Sequence, residues 1–486
     1  MKLKSSFYNE IIPIEETNEF LIYNIVSGGL NVLNKETGLV FSKLKDGRSF
    51  ELSDFPSITE ELSELFNNGF IVEYEIDEIK KYRTDYIENQ SRKYRTNGHI
   101  GLTIGTTILC NMGCPYCFED VKPNKTLRDE RVLDGIVSFI EGMIQSAPVE
   151  KWSSLSISWY GGEPLINKTA IEYLSEKFIS LSDKYSIPYD ATIITNGIYL
   201  DADTWQMLKK YKVSSLQVTI DGAKEVHDVY RPLKNSRSKN YEKILENISM
   251  MPEDMDLTIR INTDKRVAAT FERLLDDLQS YGIWPQRHKS FSLSLAWLRS
   301  YPGADSSTMQ YLTKDEFFDV QNSFSKLKVS RFNSWAETNS DLNAKMLWML
   351  PDKQSDCATY VSPYFFTFDP EGTIHKCWET IHDTKKSSGT NVFKSWSTED
   401  FEKYLNYSRT NVHPICETCK FNPVCGGLSC AYDALADIKE DKLPCTIWKT
   451  KLPEYFKDMY LMKLENPDKV SFKVAKVNEH QTHSNK

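Results

Sequence analysis

The sequence predicts an α/β protein with a parallel sheet at its centre, a small N-terminal domain and a cysteine-rich C-terminal region. Apolar, strand-like runs alternate with helical stretches from His99 to Ser300. Alternation of this kind indicates βα units and a parallel sheet. Residues 1–75 carry helix and strand signals of their own, and seven of the ten cysteines lie between positions 357 and 445.

Length and composition limit the possible classes. A chain of 486 residues can hold several domains. Its net charge of −9 argues against a nucleic-acid partner. No apolar run approaches the roughly 18 residues of a membrane span, and acidic residues interrupt Met1–Phe20 before a signal peptide could form. We therefore expect a cytoplasmic protein without membrane contact, where cysteines are metal ligands more often than disulfides.

The N-terminal signals indicate a small α/β domain. Its predicted elements are a strand at Phe20–Tyr23, a helix at Lys35–Leu44, a second helix that carries Ile58, Leu62, Leu65 and Phe66 and ends at Asn68-Gly69, and a strand at Phe70–Tyr74. A charged linking helix is predicted over Glu75–Arg95.

Six strands and the helices between them make up the predicted central sheet. The strands are Ile100–Leu109, Leu155–Tyr160, Ala191–Thr195, Leu216–Ile220, Leu257–Asn262 and Phe291–Leu298. One helix presents Val132, Leu133, Ile136, Ile140, Met143 and Ile144 on one face, and the others cover Lys168–Tyr185, Asp201–Lys210, Tyr241–Met251 and Ala268–Tyr281. Further helices are predicted at Lys314–Leu327, Ser340–Leu350 and Tyr455–Leu464, before a polar tail at His480–Lys486. Sites in parallel α/β folds form at the carboxyl ends of the strands.

A cysteine motif follows the first of these strands. Cys110, Cys114 and Cys117 have the spacing Cys-x3-Cys-x2-Cys. A zinc site or a complete iron–sulfur cluster would use four ligands. Three from one loop favour a cluster with one iron open to another ligand. A zinc knuckle with a distant fourth ligand is the alternative.

This motif, with Tyr116 before its third cysteine, resembles the signature of the radical SAM enzymes. The resemblance implies a partial (β/α)6 barrel and a [4Fe–4S] cluster whose fourth iron binds S-adenosylmethionine. It also implies cleavage of that cofactor to a 5′-deoxyadenosyl radical, with electrons from a partner such as flavodoxin or ferredoxin.

Candidate residues for binding S-adenosylmethionine lie at successive strand ends. Gly161, Gly162 and Glu163 resemble the family's Gly-Gly-Glu-Pro element, which is implied to hold the amino group, and Thr219 is implied to contact the ribose. The full set is Gly161, Gly162, Glu163, Thr195, Asn196, Gln217, Thr219, Asp221, Arg260 and Asn262. Singly, each also suits a turn or a strand end.

Two features of this set come from the residues themselves. Gln217, Thr219 and Asp221 alternate with apolar residues and so share one face. The guanidinium of Arg260 could pair with a carboxylate. Asp221 also begins an Asp-Gly-x4-His-Asp-x2-Arg motif ending at Arg231, which is common in the peptide- and sulfatase-modifying branch of the family. No catalytic acid or base is indicated.

The seven C-terminal cysteines resemble the SPASM extension, which binds two auxiliary [4Fe–4S] clusters. The resemblance assigns an outer cluster to Cys416, Cys419, Cys425 and Cys445, and an inner cluster to Cys357, Cys377 and Cys430. The four-residue spacing between Cys425 and Cys430 is one longer than the usual pattern. Some relatives supply a fourth inner ligand from a cysteine just after the first, but no cysteine lies between positions 358 and 376 here. We therefore expect the inner cluster to have an open iron, or a ligand such as Asp352 or Asp356. Structural zinc sites are the alternative.

The N-terminal order of helix, helix and strand resembles a winged helix. In peptide-modifying radical SAM enzymes such a domain often binds the leader of a precursor peptide as an added strand. A stabilising extension and a DNA-binding domain are the alternatives, and the acidic balance disfavours DNA. The expected ranges are 1–75 for leader binding, 76–98 for the linker, 99–310 for the barrel, 311–356 for bridging helices, 357–450 for SPASM and 451–486 for the last helix and tail.

The sequence thus predicts a radical SAM/SPASM maturase that cross-links a ribosomally made peptide through a thioether or a carbon–carbon bond. A sulfatase maturase that forms formylglycine is one alternative. In that branch an aspartate follows the second SPASM cysteine, whereas Trp378 follows Cys377 here. A zinc-stabilised peptide-binding protein is another alternative, and side-chain modification without a cross-link, such as epimerisation, stays open.

Overall fold

The computed structural model divides the chain into two compact units. The described residues are 1–44, 47–119, 123–234, 240–300, 307–339, 344–431, 443–467 and 470–473. The first unit contains residues 1–91, 343–357 and 407–486, and the second contains residues 92–342 and 358–406. The six-range division made from the sequence stays a prediction.

Strands and helices are numbered in chain order. The strands are β1 (Leu3–Ser5), β2 (Asn9–Ile14), β3 (Glu19–Asn24), β4 (Leu30–Leu33), β5 (Ile71–Glu73), β6 (His99–Thr107), β7 (Ser154–Gly161), β8 (Tyr189–Thr195), β9 (Val213–Thr219), β10 (Asp256–Thr263), β11 (Phe291–Trp297), β12 (Met346–Met349), β13 (Phe365–Phe368), β14 (Ile374–His375) and β15 (Val470–Lys473). The helices are α1 (Lys35–Leu44), α2 (Thr59–Asn67), α3 (Glu78–Arg95), α4 (Glu130–Ser146), α5 (Lys168–Tyr185), α6 (Ala202–Lys210), α7 (Lys224–Tyr230), α8 (Tyr241–Ser249), α9 (Lys265–Ala268), α10 (Phe271–Ser280), α11 (Lys314–Asn339), α12 (Ala358–Val361), α13 (Glu402–Leu405), α14 (Pro414–Glu417) and α15 (Trp448–Glu465).

Six parallel strands of the second unit lie side by side in their order along the chain. β6 to β11 pair consecutively, each parallel to the next. The six strand predictions are confirmed, and so is the α/β class. The apolar face predicted on α4 is buried against the sheet. Polar residues at the carboxyl ends of these strands are therefore collected along one edge.

Two further strands extend this sheet beyond β6. β13 pairs parallel with β6, and β14 pairs antiparallel with β13. Gly101 in β6 makes room for the ring of Phe365, which a Cβ at 101 would meet at 2.4 Å. This extension was not predicted, because it joins segments that lie far apart in the chain.

The N-terminal part of the first unit contains a three-stranded antiparallel sheet, β2-β3-β4, and a two-stranded pair, β1-β5. α1 and α2 pack on them through a core that includes Leu3, Phe41, Leu62 and Leu65. α1, α2, β3 and β5 were predicted. β1, β2 and β4 were missed because they are short or interrupted by polar residues.

One element prediction is wrong where the chain is described. Ser340–Leu350 was predicted as a helix, but Met346–Met349 forms β12, which pairs parallel with β15. A short apolar run suits either element, and here the distant partner strand decides it. Residues 340–343 and the predicted tail at His480–Lys486 lie outside the described residues.

α11 begins at the predicted residue and continues past Leu327 to Asn339. α15 includes the predicted last helix. Among the helices that the structure describes, none combines the length and the apolar character needed to span a bilayer.

Candidate functional site

The loop of residues 108–119, called the cysteine loop below, follows β6 and carries Cys110, Cys114 and Cys117. All three cysteines are half-buried, and none of the ten in the chain forms a disulfide. Burial raises the pKa of the Cys114 thiol to about 11; Arg231 opposes the rise, and the Cys110 and Cys117 thiols add to it. Thiols packed this closely ionise poorly alone, and a bound cation would remove that cost.

Two glycines bring the end of β7 against this loop. A Cβ at Gly161, whose φ is +134°, would lie 2.1 Å from the carbonyl oxygen of Thr107. A Cβ at Gly162 would lie 2.4 Å from the carbonyl oxygens of both Ile108 and Leu109. The first role of these glycines is therefore to let two backbone segments approach each other.

The carboxylate of Glu163 is buried and bonded by the chain itself. It accepts hydrogen bonds from the Leu165 amide (3.0 Å), the Thr195 hydroxyl (2.8 Å) and the Asn196 amide (2.8 Å). Burial raises the pKa of Glu163, while these hydrogen bonds act against the rise. Glu163 therefore joins the ends of β7 and β8, which brings three predicted site residues together.

The end of β8 also holds the start of the cysteine loop. The side-chain amide of Asn196 donates to Asn111 Oδ1 at 2.7 Å and lies 3.9 Å from Cys110 Sγ. On the other side, the Gly113 amide donates to the Pro232 carbonyl at 2.8 Å.

Tyr116 fixes the far end of the loop to the sheet. Its hydroxyl donates to Asp221 Oδ2 and accepts from Arg231 Nη1 at 2.8 Å and from Asn262 Nδ2 at 3.4 Å. The Asn262 amide donates to Asp221 Oδ1 at 2.9 Å. The ends of β9 and β10 thus meet the cysteine loop at one phenol.

This contact lies in a buried, charged environment. Asp221 is fully buried, and the side chain of Arg231 is 11% exposed, with 3.9 Å between Nη1 and Asp221 Oδ2. Burial raises the pKa of Asp221, and Arg231 partly offsets the rise. Burial also lowers the pKa of His227 far below its ordinary value. A neutral imidazole suits its contact, since His227 Nδ1 accepts from the Asp221 amide at 3.1 Å.

Three predicted residues keep side chains available at the same edge. Thr219 lies opposite Arg260 across β9 and β10, with Gln217 earlier on β9. Within the described residues, the side chains of Gln217 and Thr219 make no hydrogen bond to the chain. The exposed Arg260 donates from Nε to Asn262 Oδ1 at 3.1 Å. These side chains can bind a ligand that carries hydroxyl or carboxylate groups.

Four C-terminal cysteines come together in the first unit. Burial raises the pKa of Cys416 to about 11, and Cys425, Cys419 and Cys445 add to the rise. Lys449 Nζ lies 3.5 Å from Cys445 Sγ. This is the set that the sequence assigned to an outer cluster.

The three remaining cysteines are divided between the units. Cys357 and Cys430 belong to the first unit and Cys377 to the second. Asp356, one suggested additional ligand, accepts a hydrogen bond from the Arg409 amide at 2.9 Å and is buried.

The thiols of the cysteine loop and of the four-cysteine set suit an iron–sulfur cluster better than a single metal ion. In the described part of the chain, no three Cys, His, Asp or Glu side chains are arranged to hold a single metal ion. The ligands of a cubane each bind a different iron and so stand farther apart than ligands of one ion. Three or four mutually interacting thiols fit that donor chemistry.

Residues 104–278 match the family model described as the Radical SAM superfamily. These residues form a radical SAM domain. The match begins in β6 and ends in α10, and it includes the cysteine loop and every strand end described above.

Curated relatives support the same family. The radical SAM cyclopropyl synthase TigE of Paramaledivibacter caminithermalis is 26% identical over 269 residues, which cover 49% of this chain and 55% of TigE. The cysteine-type anaerobic sulfatase-maturating enzyme of Clostridium novyi is 29% identical over 146 residues, which cover 29% of this chain and 37% of that enzyme. The matches thus span about half of the first relative and less of the second.

Solved structures share the fold. The structure titled native anSMEcpe with bound AdoMet has a TM-score of 0.52 at 17% identity, and it covers 75% of this chain and 98% of that one. A second structure of that protein, with AdoMet and the Cp18Cys peptide, has a TM-score of 0.51 at 16% identity, and it covers 76% of this chain and 98% of that one.

Two residues of the radical SAM domain have a larger role than the sequence indicated. Tyr116 was noted as an aromatic before a cysteine, and Arg231 as the end of a motif. Their contact with Asp221 depends on the fold. The motif Asp-Gly-x4-His-Asp-x2-Arg is the signal that would have placed Arg231 near the site.

Replacing Tyr116 with Phe should loosen the cysteine loop. The change leaves Asp221 and Arg231 buried without their shared hydroxyl, which costs about 1–3 kcal/mol. We expect a lower thermal unfolding midpoint and less iron retained per chain after anaerobic reconstitution. Tyr173→Phe is the control, because its hydroxyl bonds Asp134 at the surface (2.6 Å) and its loss should change stability by less than about 0.5 kcal/mol. Equal iron content in the two variants would show that Tyr116 does not hold the loop.

Proposed function

We propose that this protein is a radical SAM/SPASM enzyme that modifies a ribosomally made peptide. The observation that supports it most is the cysteine loop of the radical SAM domain, whose three thiols lie among the polar ends of β7 to β10. The domain family supports an S-adenosylmethionine-dependent enzyme; the substrate and the product belong to the proposal.

The residues of the radical SAM domain have separate tasks in this proposal. When bound, the cluster and S-adenosylmethionine supply a radical that removes a hydrogen atom from the substrate. Cys110, Cys114 and Cys117 would hold that cluster. Gly162, Glu163 and Asn196 would position the loop and offer polar groups to the cofactor's amino acid moiety. Thr219, Gln217 and Arg260 would contact its hydroxyls and carboxylate.

The auxiliary clusters follow from the cysteine pattern. We assign one [4Fe–4S] cluster to Cys416, Cys419, Cys425 and Cys445, which interact electrostatically in the first unit. The second is assigned to Cys357, Cys377 and Cys430 from the resemblance to the SPASM extension alone. Thiolate clusters suit a reducing cytoplasm, and a flavodoxin or ferredoxin is the proposed electron donor.

A peptide substrate is favoured by the kinds of protein that share the fold. One solved neighbour has a bound peptide, and one relative is a cyclopropyl synthase. Closing a cyclopropane ring is carbon–carbon bond formation. A cross-link, either carbon–carbon or thioether, is therefore the proposed product.

The leader of the precursor is proposed to bind at the edge of β4. In the described part of the chain, β4 pairs with β3 on one side only. Val32 in β4 is exposed. Its backbone amide donates to Asn31 Oδ1 of the preceding residue at 2.8 Å. Leu39 on the neighbouring α1 is exposed as well. An extended peptide could pair with this edge as a fourth strand and cover these apolar side chains.

Replacing all of Cys110, Cys114 and Cys117 with Ala should abolish cleavage of S-adenosylmethionine, because no ligand set for the first cluster would remain. Release of 5′-deoxyadenosine measures it. A Cys416→Ala control should keep substrate-independent cleavage. Cleavage of S-adenosylmethionine by the triple variant would refute the assignment of these cysteines to the first cluster. If the parent protein binds zinc and no iron, a non-redox peptide-binding protein would be favoured instead.

Val32→Pro should weaken use of the leader. Proline removes the outward amide that an added strand would need and is tolerated on edge strands, so about 1 kcal/mol of binding is lost, roughly fivefold in KM. Val32→Thr keeps the amide and the branched shape and should behave like the parent. The readout is KM for a precursor peptide with its leader, alongside unchanged substrate-independent cleavage. An unchanged KM in Val32→Pro would exclude the β4 edge.

Sulfatase maturation is the second candidate, favoured by the match to the Clostridium novyi enzyme. The chain departs from that branch where Trp378 and Glu379 follow Cys377. Incubation with a sulfatase-derived peptide separates the two functions. Formylglycine in the product would replace our proposal with this one.

A further inference from the structure

A fully buried arginine lies beside the four-cysteine set of the first unit. The side chain of Arg409 is 0% exposed. Its Nε donates to the Tyr86 hydroxyl at 3.1 Å and its Nη2 to the Tyr82 hydroxyl at 2.9 Å, and its guanidinium lies 4.7 Å from the centre of the Tyr86 ring. Nη2 also donates to the Gln354 carbonyl at 3.0 Å. α3 and residues 351–357 therefore enclose this group.

The guanidinium has no ion-pair partner within the part of the chain that is described. Its hydrogen-bond acceptors are hydroxyl, carbonyl and amide oxygens. Asp356 is near enough to interact electrostatically, but its bond is to the Arg409 backbone amide. A buried, unpaired charge is costly. A negative group close by would offset that cost.

The same arginine contacts the C-terminal segment 416–425, which carries three of the four cysteines, through Asn422. Arg409 Nη1 donates to the Asn422 carbonyl and lies 3.3 Å from Asn422 Oδ1. Asn422 Nδ2 donates to the Cys416 carbonyl at 3.0 Å, and the Asn422 amide donates to the Cys419 carbonyl at 3.0 Å. The Cys425 amide donates to the Asn422 carbonyl at 3.1 Å. Asn422 thus bonds the backbone of three cysteines.

Electrostatic contacts also connect this network to the thiols. Tyr82 interacts with both Arg409 and Cys425. Tyr8, which packs against Tyr82 with ring centroids 5.9 Å apart, interacts with Cys419. Tyr82 is therefore a shared neighbour of the Arg409 guanidinium and the Cys425 thiol.

We propose that Arg409 is the positioning residue and the buried countercharge of a cluster held by Cys416, Cys419, Cys425 and Cys445. Through Asn422 it keeps the backbone of three of these cysteines in place. Its charge offsets that of a thiolate-bound cluster, which becomes more negative on reduction. This inference rests on the auxiliary cluster of the proposed function and goes beyond it.

The test uses the full chain with Cys110, Cys114 and Cys117 replaced by Ala, so that only C-terminal clusters remain. Arg409→Met, Arg409→Lys and Asn422→Ala are compared with this parent after anaerobic reconstitution. A Cys416→Ser variant identifies the signal of the four-cysteine cluster. Iron release to a chelator, the midpoint potential of that signal and the thermal unfolding of the iron-free chain are measured.

Arg83→Met is the matched control. Arg83 also reaches from α3 to the C-terminal segment, with Nη1 3.1 Å from Glu417 and Nη2 2.8 Å from Asn411, but its side chain is 31% exposed. In the described structure, Arg83 donates to no backbone carbonyl of residues 416–425. Iron release and midpoint potential should match the parent.

We expect Arg409→Met to release iron about tenfold faster than the parent or more, because the variant lacks a residue that positions the metal ligands. Its midpoint potential should fall, because the reduced cluster loses a neighbouring cation. Arg409→Lys should keep the midpoint potential near that of the parent, because it keeps the positive charge. It should still release iron fast, because one ammonium group cannot replace the several hydrogen bonds of the planar guanidinium. Asn422→Ala should release iron fast at the parent's potential.

Parental iron release in both Arg409→Lys and Asn422→Ala, with only a lower unfolding temperature, would overturn the positioning role and leave Arg409 a structural residue. A parental midpoint potential in Arg409→Met would overturn the countercharge, and Arg409→Gln, which is also neutral, replaces Arg409→Met if that variant does not fold. A parent that takes up zinc, or no iron, at these cysteines would refute the auxiliary cluster and this inference together. The parent thus tests the function, and the variants test Arg409.

Discussion

The buried contact of Tyr116, Asp221 and Arg231 is the constraint on which the site of the second unit depends. The cysteine loop has no helix or strand of its own, so contacts with other segments are needed to hold its three thiols in one arrangement. One phenol from the loop meets a carboxylate after β9, a guanidinium after α7 and an amide from β10. Because Tyr116 and Asp221 are buried and Arg231 is nearly so, these three groups need one another, and the loop has one favoured position.

The end of β7 restrains the same loop by a different means. Gly161 and Gly162 permit backbone segments to approach more closely than any side chain would allow. Glu163 then bonds the end of β8. Much of the polar sequence at the strand ends therefore holds the protein's own loop. Among the predicted residues, the side chains of Thr219 and Gln217 make no hydrogen bond to the described part of the chain, and Arg260 is exposed.

The two cysteine sets share a physical arrangement although they lie in different units. In each, a guanidinium with little or no exposure donates to a polar residue that also bonds the cysteine segment: Arg231 to Tyr116, and Arg409 to Asn422. Thiolate clusters carry negative charge, and burial makes that charge costly. In the proposed clusters, a fixed cation in each unit would lower that cost without being a ligand.

The sequence alone determined the class of the fold, and it predicted most of the polar residues that the structure collects around the cysteine loop. Strand and helix periodicity located six parallel strands, and strands that pair in chain order must bring their carboxyl ends to one edge. The spacing of Cys110, Cys114 and Cys117 indicated the chemistry, because ligands this close in sequence are close in any fold. Only the tertiary structure decided which polar residue bonds which. The β13 extension, β12 with β15, and the partners of Tyr116 and Arg409 all join segments distant in the chain. Such contacts leave no local periodicity, and burial at a particular place in the fold makes them strong.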